Sequence, residues 1–521
     1  MSDSRTASPP AEAAPPRPRP ERAPSEWRVA RVIGRAEATR LLKVTLVPAA
    51  LGVAMSIGTG SDAVDMRAAS INSAFNVLLL AAVTLVASHR AVTRGRRDGA
   101  DELYAAMSAP ARARTLGHLL AVLAPVALGV VATGASVVAL VAGATTIGDL
   151  VLAELAVGPV LVAGAGCLGV LLARVWPQPF TPFVACVAII VVEFGMNTPE
   201  LARSGARWLA FWVEGSLWWL LPRHAGAHLV YLLGLVAMAA VGALLRHGLT
   251  RPLARAGALA VTVTVVAAGL QMRQPEDHWR RVNPMFAAPA SVQTCWSDDG
   301  VRYCAFRRFE EVVEHVAGMV RRVRAVTPAA AWPSGLAVTQ RVTALDLQYA
   351  GDAKLPHVPA FPRAPLRQPE DGEIHPGLEF GWSPVQGLGL GVQVAAKALG
   401  LPVVPDPRTG RVCLAAGQAR AVVALWLGGH ATGDAADGLS WVVQQVEEGV
   451  AGAGGALFPV AEADVYGGFA VSSADARLVL ELLGRDDAEV EARIAEHWEA
   501  IRSAATTTAR LAELLGARSP A

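Results

Sequence analysis

The sequence predicts a mainly α protein: a polytopic membrane helix bundle of six spans plus a seventh, followed by a mostly α, minor β extracytoplasmic domain. Three observations carry that prediction. The chain is 53% hydrophobic yet 17% charged, too apolar for an ordinary soluble protein and too charged for lipid alone. Its apolar residues are concentrated in the first half. There, stretches near the ~20 residues that a helix needs to cross a bilayer alternate with short polar connections.

Residues 1–24, rich in Pro, Ala, Ser and Arg, predict a disordered cytoplasmic tail. They hold no continuous apolar core before a cleavage site, so they do not read as a signal peptide. Residues 25–43 predict an amphipathic helix. At about 100° per residue, Arg28, Arg31 and Arg35 share one face, and Val29, Val32, Ile33 and Ala36 share another. Such a helix either lies on the inner membrane surface, its arginines among lipid phosphates, or extends the first span into the cytosol.

The membrane domain covers 41–272, with spans near 41–59, 71–88, 117–142, 151–174, 182–196, 229–246 and 255–272. The fifth is short and the first contains Pro48. Arg90, Arg94, Arg96, Arg97, Arg112 and Arg114 crowd the second connection, and Arg246, Arg251 and Arg255 the sixth. The first holds Arg67 and the third no Lys or Arg. Positive charge stays inside, so the N-terminus is expected in the cytoplasm of a bacterial cell, and seven spans put 273–521 outside the plasma membrane. Scarce lysine beside abundant arginine and alanine resembles the coding bias of a high-GC bacterium, such as an actinobacterium.

Cys295 and Cys304 flank "WSDDGVRY", where Asp299-Gly300 reads as a hairpin turn. Facing cysteines there either form a disulfide or remain two thiols, and a bridge requires an oxidising compartment. Cys167 and Cys186 sit in apolar segments and pack as small hydrophobes. Gly and Ala dominate the third and fourth spans, which predicts close helix packing. Glu193 and Glu154 are carboxylates within or beside spans. Each faces a cavity, finds a partner or reaches water, and Glu193 and Glu154 are candidates for an intramembrane substrate or proton path. In the fifth connection, Trp208, Phe211, Trp212, Trp218 and Trp219 fit the outer membrane interface, either on short re-entrant helices or as an aromatic belt.

Between the second and third spans, Asp101 caps a predicted helix opening with Glu102. Ser108 and Pro110 stop that helix and start the next. A rigid surface helix between spans is a handle for a soluble partner; a solvated loop is the plainer reading. The stretch "DELYAAMSAPARARTLGHLL" resembles the coupling region of ABC type-2 exporter permeases, in which a short helix, a Pro break and arginines dock on an ATPase subunit. The resemblance covers about residues 25–250, through an N-terminal interfacial helix and re-entrant outer helices between spans five and six. It implies a coupling surface at Asp101, Glu102, Leu103, Tyr104, Met107, Pro110, Arg112 and Arg114. The seventh span and the added domain depart from the family pattern, although some actinobacterial permeases look similar, with a "C…DG…YC" hairpin and a tail ending in "HW".

The resemblance implies ATPase subunits and a second permease copy or paralogue as partners, with membrane lipid and an unidentified substrate. The chain has neither a phosphate loop nor HExxH, so no enzyme activity, metal or cofactor is expected in it. ATP and Mg would belong to the partner ATPase. No basic stripe suggests nucleic acid. The rival expectation is a membrane-anchored extracytoplasmic binding or sensor protein without transport activity.

In 273–521, Phe309, Val312, Val313, Val316 and Val320 share a helical face, and 336–342 reads as a strand. Helices are expected near 384–399, 414–427, 438–450, 472–484, 487–503 and 507–515, with Ser472 or Ser473 and Thr506 as caps. His430, Asp434 and Asp437 fit a solvated glycine-rich loop better than a metal site.

Overall fold

The structure, a computed structural model, describes residues 25–57, 63–99, 110–142, 145–196, 206–211, 224–273, 284–285, 288–341, 373–374, 384–401, 413–440, 458–459 and 469–518. Helix α1 is Glu26–Ile57, 32 residues without a break. At 1.5 Å per residue it is about 48 Å long, and a bilayer core is about 30 Å thick. The predicted surface helix and first span are therefore one element. Its exposed side carries Arg28, Arg31 and Arg35 as expected, but Val32 and Ala36 are exposed too. The buried stripe is Ala30, Gly34, Glu37 and Leu41, because small residues there admit a neighbouring helix.

Strand β1 (Ala63–Asp65) leads into α2 (Met66–Asn76) and α3 (Leu78–Arg97). Next come α4 (Ala111–Ala121), α5 (Leu123–Val141), β2 (Thr145–Ile147), α6 (Leu152–Leu155) and α7 (Val157–Val175). The breaks within these pairs have local causes. Pro125 and Pro159 have no N–H for the carbonyls of Ala121 and Leu155, so the chain steps at Val122 and Ala156. At the first break, the carbonyl of Asn76 presses on α1, where a Cβ on Gly52 would lie 1.9 Å from it.

Helices α8 (Thr181–Met196), α9 (Ala225–Leu245) and α10 (Arg251–Met272) complete the bundle. Among the described residues, six segments are long and apolar enough to cross a membrane: Glu26–Ile57, Ala69–Arg97, Ala111–Val141, Leu152–Val175, Ala225–Leu245 and Arg251–Met272. The expected fifth span, α8, has 16 residues, about 24 Å, and falls below that length.

The glycine-rich spans pack tightly. A Cβ on Gly169 would lie 2.4 Å from the carbonyl of Leu85, and one on Gly166 would lie 2.5 Å from Val122. Backbone approach of this kind is how apolar helices associate where burial from water contributes little.

The rest of the chain forms a second, larger core. Strands β3 (Gln293–Asp298) and β4 (Val301–Phe306) make the expected hairpin, with Asp299 and Gly300 both at positive φ (51° and 81°). That pair of conformations defines the tight two-residue turn that matches strand twist. Cys295 and Cys304 face each other in register and form a disulfide. Strands β5 (Ala337–Thr339) and β6 (Glu373–Ile374) extend this sheet in parallel. Helix α11 (Val313–Ala325) follows a 3-10 turn, and Phe309, Val312, Val316 and Val320 are buried as the spacing predicts.

Helix α12 (Pro384–Ala398) precedes strand β7 (Cys413–Leu414), and α13 (Ala419–Gly428), buried except at Arg420, precedes β8 (Phe458–Pro459) and β9 (Phe469–Val471). These three strands form a second sheet, ordered β7-β9-β8. The chain closes with α14 (Ser473–Leu483), α15 (Asp487–Glu496), α16 (Trp498–Arg502) and α17 (Thr508–Leu515). Ser472 caps α14 as expected; α17 is capped by Thr507, one residue beyond the expected Thr506. The expected helix 438–450 lies largely outside the described residues.

Candidate functional site

The bundle has two chemically different ends. At one, α3 finishes in Arg94, Arg96 and Arg97, and Gly99 turns the chain at φ 66°. Asp101, Glu102, Leu103, Tyr104 and Met107 lie outside the described residues. The chain resumes at Pro110, which precedes α4, and Arg112 and Arg114 stand on the first turn of that helix. Both flanks of the charged segment are held by α1. A Cβ on Gly117 of α4 would lie 2.9 Å from Ile33, so α1 and α4 touch at backbone distance. The buried carboxylate of Glu37 accepts from Arg94 at 2.9 Å and from Arg40 at 2.5 Å. This ion pair joins α1 to the end of α3. The sequence reading missed it, although Glu37 is an isolated acid in an arginine-rich helix, which is a visible signal.

The other end carries the C-terminal domain. Strands β1 and β2 pair in parallel there, which brings the first and third connections together. The Gly148 N–H donates to Glu311 at 3.1 Å. Trp208, on a 3-10 turn (Ala206–Leu209), is buried in the same apolar cluster as Tyr303 and Phe309. Trp208, expected at the outer membrane interface, is instead a core residue of that cluster. Phe211 is half-buried and packs beside Leu161 and Leu232. Trp212, Trp218 and Trp219 lie outside the described residues.

Several polar side chains gather at this end. Both oxygens of Glu193, near the end of α8, accept from the Phe211 N–H, at 2.9 and 3.1 Å. Glu193 lies within electrostatic reach of Tyr231 on α9. One turn before it, buried His228 hydrogen-bonds through Nδ1 to buried Gln271 of α10 at 2.8 Å. Glu154 is also buried; it sits just after Val151, whose N–H donates to the Ser70 hydroxyl at 3.1 Å. Of the two expected carboxylates, Glu193 thus belongs to a polar group of four, and Glu154 stands on the neighbouring helix α6. His228 and Gln271 were missed because they fall at span limits, where polar residues attract no notice.

In the C-terminal domain, His430 donates through Nδ1–H to the Trp426 carbonyl (2.8 Å) and meets Asp487 through Nε2 (3.2 Å). Asp434 instead accepts from Thr432. The three residues read together from sequence do not converge. No protein-family model matches the chain, and neither does any curated protein or solved structure.

Proposed function

We propose that the chain is the membrane-spanning subunit of an ATP-driven exporter of the ABC type-2 kind, paired with a second copy or paralogue and with separate ATPase subunits. The observation that carries this reading is the way α1 grips both flanks of the segment between Arg97 and Pro110: Gly34 and Gly117 in close contact, Glu37 paired with Arg94. A loop that only obeys charge rules has no need of such anchorage. A handle does, since a push on it must reach the spans as a rigid-body motion rather than be absorbed locally.

In this reading α8 completes a seventh crossing and the C-terminal domain is extracytoplasmic. Support comes from the contacts of its two ends. Arg90, near the arginine-rich end, stacks over Phe183 of α8 at 5.8 Å, whereas Glu193 meets the segment bearing Trp208. The Cys295–Cys304 bridge suits an oxidising side. The group Glu193, Tyr231, His228 and Gln271, near the mouth of the bundle, offers a carboxylate, a phenol, an imidazole and an amide to a polar part of the cargo.

The test is a detergent pull-down of tagged full-length chain from its host, wild type against Glu102→Arg, Leu103→Asp at equal expression. Recovery of an ATP-hydrolysing subunit by wild type, with loss in the variant, is expected. Absence of such a subunit from both samples would sink the exporter reading in favour of an anchored extracytoplasmic sensor.

A further inference from the structure

The arginine-rich end contains more than the flanks of the charged segment. His118 on α4 and His247 just after α9 each lie within electrostatic reach of Arg114 on α4 and Arg174 at the end of α7, and the two arginines lie within reach of each other. Arg96, Arg112 and Arg246 surround them. His247 and Thr115 are joined by a 2.7 Å hydrogen bond, which closes the gap between α4 and the α9–α10 connection. Arg174 makes no hydrogen bond or ion pair among the described residues, and its Nε is sealed from solvent without an acceptor. Nδ1 of His118 is likewise buried without a partner. Neither Arg174 nor His118 is reached by Glu37, whose charge is used by Arg40 and Arg94.

Buried guanidinium and imidazole nitrogens without acceptors are costly, and like charges brought together raise that cost. Surface arginines that merely set orientation would point outward into water. These converge, which is the arrangement of an anion site. The rim identifies the kind of anion. Val175, Trp176 and Phe180, which follow Arg174, are exposed, and so are Leu245 and Leu249 around His247. A cationic cluster with an apolar, exposed rim at the end of membrane-length helices fits an amphiphile better than a soluble ion.

We propose that Arg174, Arg114, His118 and His247 bind the phosphate of an anionic phospholipid headgroup, with its acyl chains running along the rim at Trp176 and Phe180. The lipid would supply the acceptors that Arg174 and His118 lack among the described residues and hold α4, α7 and the α9–α10 connection together. This inference does not depend on the exporter reading, because any multi-span protein with this cluster would recruit the same headgroup.

The test uses purified full-length chain in a zwitterionic detergent, titrated with phosphatidylglycerol or phosphatidylcholine and followed by native mass spectrometry. Selective binding of phosphatidylglycerol is expected, weakened about fivefold by Arg174→Gln and about fivefold by Arg114→Gln. Arg255→Gln, an exposed arginine at the same end but outside the cluster, is expected to leave affinity within about twofold. Arg174→Lys keeps the charge and is expected to retain most of the selectivity. It also covers the case in which Arg174→Gln does not fold. Equal binding of the two lipids, or phosphatidylglycerol binding indifferent to both arginine variants, overturns the proposal. So does displacement of phosphatidylglycerol by millimolar inorganic phosphate, which would mark a soluble-anion site. Loss of a co-purifying ATPase from Arg174→Gln, without lipid selectivity in wild type, would assign the cluster to a protein partner and overturn the proposal equally.

Discussion

Replacing both Cys295 and Cys304 with Ser removes the bridge across the β3–β4 hairpin while the register and turn remain. The two positions are separated by 9 residues, and closing a loop of that length in the unfolded chain is worth about 2.6 kcal/mol by the loop-entropy relation. Cys304 and its neighbours Tyr303 and Ala305 are buried, so opening the hairpin also exposes part of the core. Hydrogen exchange at the amides of 293–306, measured on the full chain in detergent, reads this directly. An energy of about 2.6 kcal/mol corresponds to roughly 80-fold faster exchange in the double variant. Exchange that does not change would show that turn and sheet fix the hairpin and that the bridge contributes nothing. The same cysteines test placement. After reduction in intact cells, the exposed Cys295 is expected to react with an impermeant thiol reagent; labelling only after membrane disruption would put the domain in the cytoplasm.

Three further outcomes are expected. Gly169→Val would place a side chain where a Cβ already lies 2.4 Å from the Leu85 carbonyl, costing about 1–3 kcal/mol, read as a lower melting temperature of the detergent-solubilised chain; an unaltered melting point contradicts the packing. Asp475 is buried and accepts from Gly417 N–H, Ser472 N–H and hydroxyl, and the Thr508 hydroxyl, so Asp475→Ala should destabilise the C-terminal domain by about 3 kcal/mol in urea unfolding; a loss below about 1 kcal/mol refutes its keystone role. His247 lies outside the six spans, and burial, then the Arg174, Arg114, Arg112 and Arg246 charges, hold its imidazole below the ordinary 6.5. Below pH 6.5 the unfolded chain binds a proton that the folded chain resists, so this contribution is complete above 6.5 and declines as pH falls through the folded value. His247→Gln is expected to flatten the fall in melting temperature toward about pH 5 in lipid-free detergent, and an identical slope in both proteins would exclude the histidine.

Helices and their order were legible wherever one physical signal dominated. Length and apolar content located the six membrane-length segments, and alternation around Asp299-Gly300 located the hairpin with its facing cysteines. Boundaries failed where two signals compete. The arginine face of residues 25–43 suggested a separate helix, but Leu41 to Val47 contain no Gly or Pro to separate it from the first span, and α1 runs on through Pro48. Trp208 was read from residue type as an interfacial ring; its burial depends on the C-terminal domain some hundred residues later, which no local pattern reveals. The polar group around Glu193 is assembled from three helices, and only its carboxylate stands out in a linear reading. Of the converging cations, Arg96, Arg112, Arg114 and Arg246 were read as an orientation signal, and Arg174, His118 and His247 drew no reading. That reading counts arginines and cannot tell which of them turn inward.

The contacts of α1 bear on how a push at the charged segment would travel. Glu37 is nine-tenths buried and Arg94 about one-third exposed, so removing the carboxylate strands a partly desolvated guanidinium. For a fully buried pair the loss is about 3–5 kcal/mol; discounted for the exposure of Arg94, about 1–3 kcal/mol is expected for Glu37→Ala. The fold should survive, because Gly34 and Gly117 still lock α1 to α4. What changes is that the arginine-rich end of α3 loses its tie to α1, while the surface between Arg97 and Pro110 keeps its own residues. Within the exporter reading, the variant therefore recovers the ATPase subunit as wild type does, yet the ATP-dependent change in accessibility of the far end, followed by labelling a cysteine placed at the exposed Asp149, falls severalfold. Loss of ATPase recovery together with the accessibility change would mean that Glu37 shapes the docking surface itself. An unaffected accessibility change would mean that force reaches the bundle through α4 and not through the ion pair.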